Sequence, residues 1–399
     1  MGRQNFKYII VGSGVAGKTA ALMAAKAGIK TAVVGFKDRS GLTAKVKELS
    51  DAGVTCIHGR ARFVNNHEII VGDKHFTGEK FLIATGSEPA DSLIKGIETV
   101  KCLTPKNALK SNTVSKAVFV IGAGSCGLEI AQHFAKLGTK VILAEAKDYL
   151  LPREDNEVGR FMEKYLTAKN KIRVLTKARV VRLEENDKSK RVFFVQDGRE
   201  KSVRVDTIVL ATGTKPAIDL DLEKAKIKVV NGHIVVNGEL QTSAKNIWVA
   251  GGAVSGESSI ERAVYEATVV TSNIITKGKA IANYSGFMRM TNTFPQVAKV
   301  GMNESECRST KCKVKTILVP LSKLEYVKDD KVGFLKLLVD KKGMVMGATA
   351  VMPEANLALQ ELSLAIRYGL SAREIASTPH VASNWGDAVR LATKKLVKK

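Results

Sequence analysis

The sequence predicts an α/β chain of two β-α-β units, the second inserted in the first, with an α+β domain appended at the C-terminal end. Three observations carry this. An apolar strand running into a glycine-rich loop and a helix occurs twice, near Gly12 and near Gly122. Each copy is followed by short alternating segments and then by an apolar strand ending in Ala-Thr-Gly, in the same order. Beyond about residue 280 the glycine loops stop and short strands mix with amphipathic helices.

The second copy is the clearer. In VFVIGAGSCGLEIAQHFAKLGTKVILAE, Val118 to Glu145, the glycines Gly122, Gly124 and Gly127 have G-x-G-x-x-G spacing. Gly122 permits a tight turn, Gly124 lets backbone approach a pyrophosphate, and Gly127 lets helix and strand pack closely. The helix start offers free N–H groups and a positive dipole end. Glu145, about 20 residues on, can accept hydrogen bonds from a ribose, which favours NAD over NADP. The unit is therefore Rossmann-like and dinucleotide-binding.

The first copy, FKYIIVGSGVAGKTAALMAAKAGIKTAVVG, places Gly12, Gly14 and Gly17 in the same way. Gly12 to Thr19 also satisfies the phosphate-loop pattern G-x-x-x-x-G-K-T, with Lys18 and Thr19 as its phosphate and magnesium contacts. The extra Gly14, the recurrence near Gly122 without G-K-T, and the lack of a strand ending in a magnesium-holding Asp select the dinucleotide reading. Where such a fold usually has an acid after its second strand this chain has Gly35, and Asp38 is the nearest carboxylate.

From Leu42 a short helical pattern leads to VTCIHGRARFV and EIIVGDKHF, read as a small antiparallel meander. FLIATGSEPA then brings Thr85 and Gly86 to the carboxyl edge of a sheet, where open α/β folds bind ligands. A second meander, Ile172 to Val205, precedes TIVLATGTKPA and its Gly213. The strand Ile247 to Ala250, ending at Gly251-Gly252 before a helix starting near Glu257, is expected to return to the first sheet. In the last region KTILVP, GFLKLLVD and GMVMGATAV read as strands and Glu354 to Tyr368 as a helix.

Composition sets bounds. The chain has 399 residues, enough for two or three domains, and 45% apolar content, ordinary for a globular protein. Its net charge of +24 would draw anionic partners, but the lysines are spread along the chain rather than gathered in a stripe, so no specific nucleic acid is expected. Five cysteines form no even framework, which suits a reducing, cytoplasmic compartment. Glycines at nucleotide-loop spacing argue against reading the N-terminus as a cleaved leader, and no apolar run nears the roughly 20 residues that span a bilayer. His58, His67, His75, His133 and His233 lack metal-ligand spacing.

On these motifs, with NIWVAGGA as return strand and TFPQVAKVG opening the last region, the chain resembles the pyridine nucleotide-disulfide oxidoreductases over nearly its full length. The resemblance implies a flavin-binding domain from 1–115 and 246–280, an NAD domain from 116–245 and a dimerisation domain from 281–399. It implies hydride transfer from NAD(P)H to FAD and then to an acceptor. Gly12, Gly14, Gly17 and Thr85 would then contact FAD, Gly122, Gly124, Gly127 and Glu145 would contact NAD, and Gly86, Gly213 and Gly252 would be further cofactor-binding positions. Glu129, in G-L-E after the second loop, matches a family glutamate beside the flavin and nicotinamide.

The departures are as informative. The family's C-x-x-x-x-C pair after the first β-α-β unit has no counterpart, since Gly35 runs almost directly into the meander. Gly35 and Gly252 stand where the family has two cofactor-gripping acids. Losing two charge-assisted hydrogen bonds of roughly 1.5 to 3 kcal/mol each weakens FAD binding by a few powers of ten. In the family's C-terminal His-Pro-Thr-x-x-Glu, aligning Asp387 with the Glu puts Ala382 at the His position, leaving His380 two residues upstream as candidate proton carrier. Cys307 and Cys312 repeat the C-x-x-x-x-C spacing elsewhere, in what reads as an exposed turn.

The sequence thus points to a homodimeric flavoprotein that oxidises NADH and reduces a small acceptor without an internal dithiol. The rival is a non-catalytic NAD-binding dimer, a sensor or scaffold that has lost flavin chemistry.

Overall fold

The computed structural model describes residues 4–36, 44–90, 93–111, 115–186, 189–256, 259–327 and 331–397. Asp38 and Glu257 lie outside them.

The chain opens on β1 (Gln4–Val11), whose Tyr8, Ile9 and Ile10 are fully buried. Burial on both faces is what a central parallel strand needs. Helix α1 (Val15–Lys26) turns Ala16, Ala20, Ala21 and Ala24 inward, small residues that let it lie close to the sheet. β2 (Thr31–Phe36), α2 (Ala44–Asp51) and β3 (Thr55–His58) follow. β3 pairs in parallel with β2, so the meander expected from Val54 onward consists only of β4 (Ala61–Asn65), β5 (Glu68–Val71) and β6 (Lys74–Ile83). Four residues alternate too briefly for their pattern to name a partner. β7 (Ser87–Pro89) comes next.

After α3 (Pro105–Ala108) comes the second glycine unit: β8 (Ala117–Ile121), α4 (Ser125–Lys136), β9 (Lys140–Ala144), α5 (Asn156–Asn170) and β10 (Arg173–Leu175). The meander β11 (Arg179–Asn186), β12 (Ser189–Gln196) and β13 (Arg199–Val205) then leads to β14 (Thr207–Leu210), which closes a parallel sheet in the order β10-β9-β8-β14. Next are β15 (Thr214–Pro216), β16 (Val229–Val230), β17 (His233–Ile234), β18 (Ile247–Val249), α6 (Gly252–Ser255) and α7 (Ile260–Thr276).

The last region holds β19 (Met288–Thr291), β20 (Gln296–Gly301), α8 (Glu304–Ser309), β21 (Val314–Pro320), β22 (Phe334–Asp340) and β23 (Val345–Met352). They form one antiparallel sheet, β19-β20-β23-β22-β21. Four helices end the chain: α9 (Ala355–Ala358), α10 (Gln360–Tyr368), α11 (Ala372–Ser377) and α12 (Asp387–Val397). The single helix expected from Glu354 is broken at Leu359.

Contacts divide the chain into two compact units, 1–91 with 213–283 and 92–212 with 284–399. In the first, β18 lies parallel to the C-terminal half of β6 while β5 pairs with its N-terminal half, so one ten-residue strand serves two neighbours on the same edge. The return of the chain to its first sheet is thereby observed. Residues between the second glycine unit and β18 also pack here: Leu220, Leu222, Ile227 and Ile234 share a core with Ile9 and Phe63, and Arg62 reaches Asp219 and Asp221 at 3.0 and 2.6 Å. In the second unit Val297, Phe334 and Val351 of the antiparallel sheet join the core of Leu150, Leu151 and Val158, with Phe161 and Phe334 edge-to-face at 5.7 Å. Among the described residues no helix is long and apolar enough to cross a membrane.

Candidate functional site: two glycine cradles

The second cradle lies between β8 and α4. Gly122 has φ +97°, and a Cβ there would sit 2.5 Å from the Ala211 carbonyl oxygen at the end of β14. A Cβ on Gly127 would lie 1.9 Å from the Gly122 oxygen, so both glycines are sterically required. Gly124 faces open space, with nothing within 4 Å of its notional Cβ, and it begins α4 without a side-chain cap. The helix N–H groups are therefore left for a ligand. Glu145 is only 8% exposed: one carboxylate oxygen accepts the Ala123 N–H and the other the Lys147 N–H, each at 2.9 Å. The acid braces the loop from behind.

The first cradle repeats the steric half of this design. Gly12 has φ +119° and its Cβ would meet the Ala84 oxygen at 2.2 Å, Gly17 would meet the Gly12 oxygen at 1.9 Å, and Gly14 has only the Ala84 oxygen at 3.9 Å. α1 likewise starts at Gly14 without a side-chain cap. Thr85 adds a buried hydroxyl oxygen with no hydrogen-bond partner among the described residues. Gly86 and Gly213 have φ +80° and +112° with open space beside them.

The electrostatic half differs. Gly35 has φ +120°, and its carbonyl accepts the Ser13 hydroxyl at 3.3 Å. At Gly252 a Cβ would lie 2.9 Å from the Ser87 nitrogen, so an acid there would first have to move that backbone. The carboxylate of this region is Glu266 on α7, fully buried, accepting the Gly251 N–H at 2.6 Å and the Arg262 Nε–H at 2.7 Å. Its i,i+4 spacing from Arg262 was legible in ERAVYEA; its turn back to the return strand was not. Lys18, the lysine of the phosphate-loop alternative, pairs with Glu48 at 2.6 Å. Both cradles fit the diphosphate of a dinucleotide. Among the described residues, only the second places a carboxylate at its loop.

The two catalytic candidates are each bonded, and among the described residues they share no partner. Glu129 accepts the Asn292 N–H at 2.6 Å; burial raises its carboxyl, and the hydrogen bonds to Asn292 oppose the shift. With Ser125 bonded to Thr291 at 2.8 Å and Gln132 accepting the Phe294 N–H at 2.8 Å, it lies on one face of α4 stitched to the start of the antiparallel sheet. The His380 side chain is 7% exposed, with Nδ1 2.7 Å from the Thr378 oxygen and Nε2 3.1 Å from Glu361, whose carboxyl burial raises and His380 lowers.

A charged cluster also escaped the sequence reading. Lys299 on β20 and Lys336 on β22 flank Thr349 on β23 in one cross-strand row, all buried. Lys336 meets Asp155 at 2.7 Å, Glu304 at 3.3 Å and also Glu157; Lys299 meets Glu306 at 2.5 Å. Burial pulls the Lys336 ammonium down, but Asp155 and Glu157 outweigh it and hold it above its ordinary value. Nearby Glu154 has a buried carboxylate oxygen without a hydrogen-bond partner among the described residues, and burial pushes its carboxyl up to about 7 against the pull of Lys299 and Arg289. A lysine inside each apolar run, QVAKVG and GFLKLLVD, was the available signal.

Residues 37–267 match the family model of the pyridine nucleotide-disulphide oxidoreductases, and residues 287–392 match that family's dimerisation domain. The chain belongs to this family. As a pyridine nucleotide-disulphide oxidoreductase it has a C-terminal domain of the dimer-forming type, and the family binds FAD and NAD(P). It is 29% identical to a mercuric reductase of Staphylococcus aureus over 86% of this chain and 64% of that one. It is 30% identical to a dihydrolipoyl dehydrogenase of Geobacillus stearothermophilus over 84% of this chain and 72% of that one. The chain thus spans under two thirds of the mercuric reductase. Among solved structures, the Cu(II) complex of the HOCl-induced flavoprotein disulfide reductase RclA from Escherichia coli shares the fold, with TM-score 0.86 and 22% identity over 99% of this chain and 100% of that one.

Proposed function

We propose that the protein is an FAD-dependent oxidoreductase that takes electrons from NADH and passes them to a small diffusible acceptor without an internal dithiol. The observation that carries this reading is the pair of cradles, each with an open second glycine and an uncapped helix start. Bound FAD would supply a two-electron carrier between NADH and the acceptor. In the first cradle the backbone at Gly12, Gly14 and Gly17 would hold its diphosphate, with the unpartnered Thr85 hydroxyl as a further contact. In the second, Gly122, Gly124 and Gly127 would hold the NADH diphosphate, while Glu145, which fixes the loop through Ala123, would accept from the ribose. Glu129 would orient groups near the reacting rings and His380, held by Glu361, would carry protons. Two subunits would associate through the C-terminal domain.

A second reading, a dimeric NAD sensor or scaffold without flavin, is favoured by the obstruction at Gly252 and by the absence of a carboxylate at Gly35. Anaerobic spectroscopy of the purified protein separates the two. Flavin absorbance that bleaches on adding NADH supports the oxidoreductase; a colourless protein that still binds NADH, and takes up no added FAD, overturns it.

A further inference from the structure

Cys307 and Cys312 do not occupy an exposed turn. Cys307 is fully buried in α8, and Cys312 lies half-exposed just beyond its end. On an unbroken helix, residues five apart point to different faces. Here the helix stops between them: Thr310 ends it, Lys311 takes a left-handed conformation at φ +57°, and the Cys312 N–H returns to the Cys307 carbonyl at 2.9 Å. This six-to-one bond belongs to a helix-ending turn that sets its first and last side chains together. A direct backbone hydrogen bond brings two Cα atoms to within about 6 Å, inside the span a disulfide bridges. Burial raises the Cys307 thiol, and the charge of Cys312 raises it further. Cys312 is the more accessible of the two sulfurs, so it is the one a small disulfide meets first.

We propose that Cys307 and Cys312 form a reversible intramolecular dithiol–disulfide couple that exchanges with low-molecular-weight disulfides. The Cys312 thiolate attacks one sulfur of the small disulfide; that S–S bond breaks, a mixed disulfide forms on Cys312, and one small thiolate leaves and takes a proton. Cys307 then gives its proton to solvent and attacks the Cys312 sulfur, forming the internal bond and releasing the second small thiol. Two protein thiols are oxidised and one small disulfide is reduced to two thiols. The bond closes the far end of the helix whose first turn carries Glu304 and Glu306 onto Lys336 and Lys299. Oxidation therefore staples the element that clamps the buried charges. This couple is not the dithiol missing after the first β-α-β unit; it stands apart from the flavin reading and survives its failure.

The test equilibrates the full chain with mixtures of oxidised and reduced glutathione, quenches with acid, alkylates free thiols and digests with a glutamate-specific protease that leaves both cysteines in one peptide. The expected result is joint loss of both alkylation sites, a peptide lighter by two hydrogens, and full reversal by reduced glutathione. Cys307→Ala is expected to trap glutathione on Cys312, and Cys312→Ser to leave Cys307 reduced. Both sites remaining alkylatable throughout, a stable mixed disulfide in the unaltered chain, or a bond between two copies would each overturn the proposal.

Discussion

The two cradles obey one steric rule and two electrostatic ones. In both, the first glycine presses against the Ala-Thr-Gly strand and the third against the carbonyl of the first, at closely matching distances. In the second, Glu145 caps the loop with a carboxylate and the following segment is anchored by Asp155 to a buried lysine. In the first, a glycine with φ +120° stands at the corresponding place, and the buried carboxylate of Glu266 is spent on the return strand. The contrast teaches that packing and ligand grip are separable. Glycines needed to close helix onto strand persist where, among the described residues, a carboxylate bonded to the loop does not.

Five experiments would break or sharpen this contrast. Gly127→Ala and Gly17→Ala should each cost about 3 kcal/mol or more in urea unfolding, because the new methyl meets backbone that cannot yield. If Gly17→Ala were tolerated, the shared steric rule would fail. Lys336→Met should cost about 3 to 5 kcal/mol, since Asp155 would be left buried without its cation. Glu145→Gln should raise the NADH dissociation constant roughly tenfold or more, read by fluorescence titration.

The fourth effect depends on pH. Glu154 binds its proton more tightly folded, at about 7, than its ordinary 4.5, so the folded state holds the extra proton between those values. Stability should therefore fall as pH rises from about 4.5 to 7 and level off above. The contribution is on the order of 1–3 kcal/mol, and Glu154→Gln should abolish that slope in melts across the range. The smallest effect belongs to Lys18→Met, which breaks an exposed pair with Glu48 and should change stability by under about 1 kcal/mol. A loss of ATP binding in that variant would revive the phosphate-loop reading.

The glycine loops were legible because their spacing encodes close approach, and the return strand because an apolar run ending in Gly-Gly had one sheet to rejoin. The partner of β3 was not, since Thr55–His58 is too short to carry a pattern. Nor was the join of Cys307 to Cys312, because a lysine takes the left-handed position that glycine normally announces. The roles of Lys299 and Lys336 were hidden for another reason. Their partners, Asp155 and the acids of α8, come from elsewhere in the chain, and only folding makes a lysine in an apolar strand compatible with burial.

The double duty of β6 has a consequence for biosynthesis. Its half from Phe81 to Ile83 awaits Ile247–Val249, which leave the ribosome only after the entire second cradle. During translation the host sheet therefore waits with an open apolar border while the guest unit can already collapse around β8 and β9. The nascent chain should be most prone to aggregation, and most in need of a chaperone, in that interval.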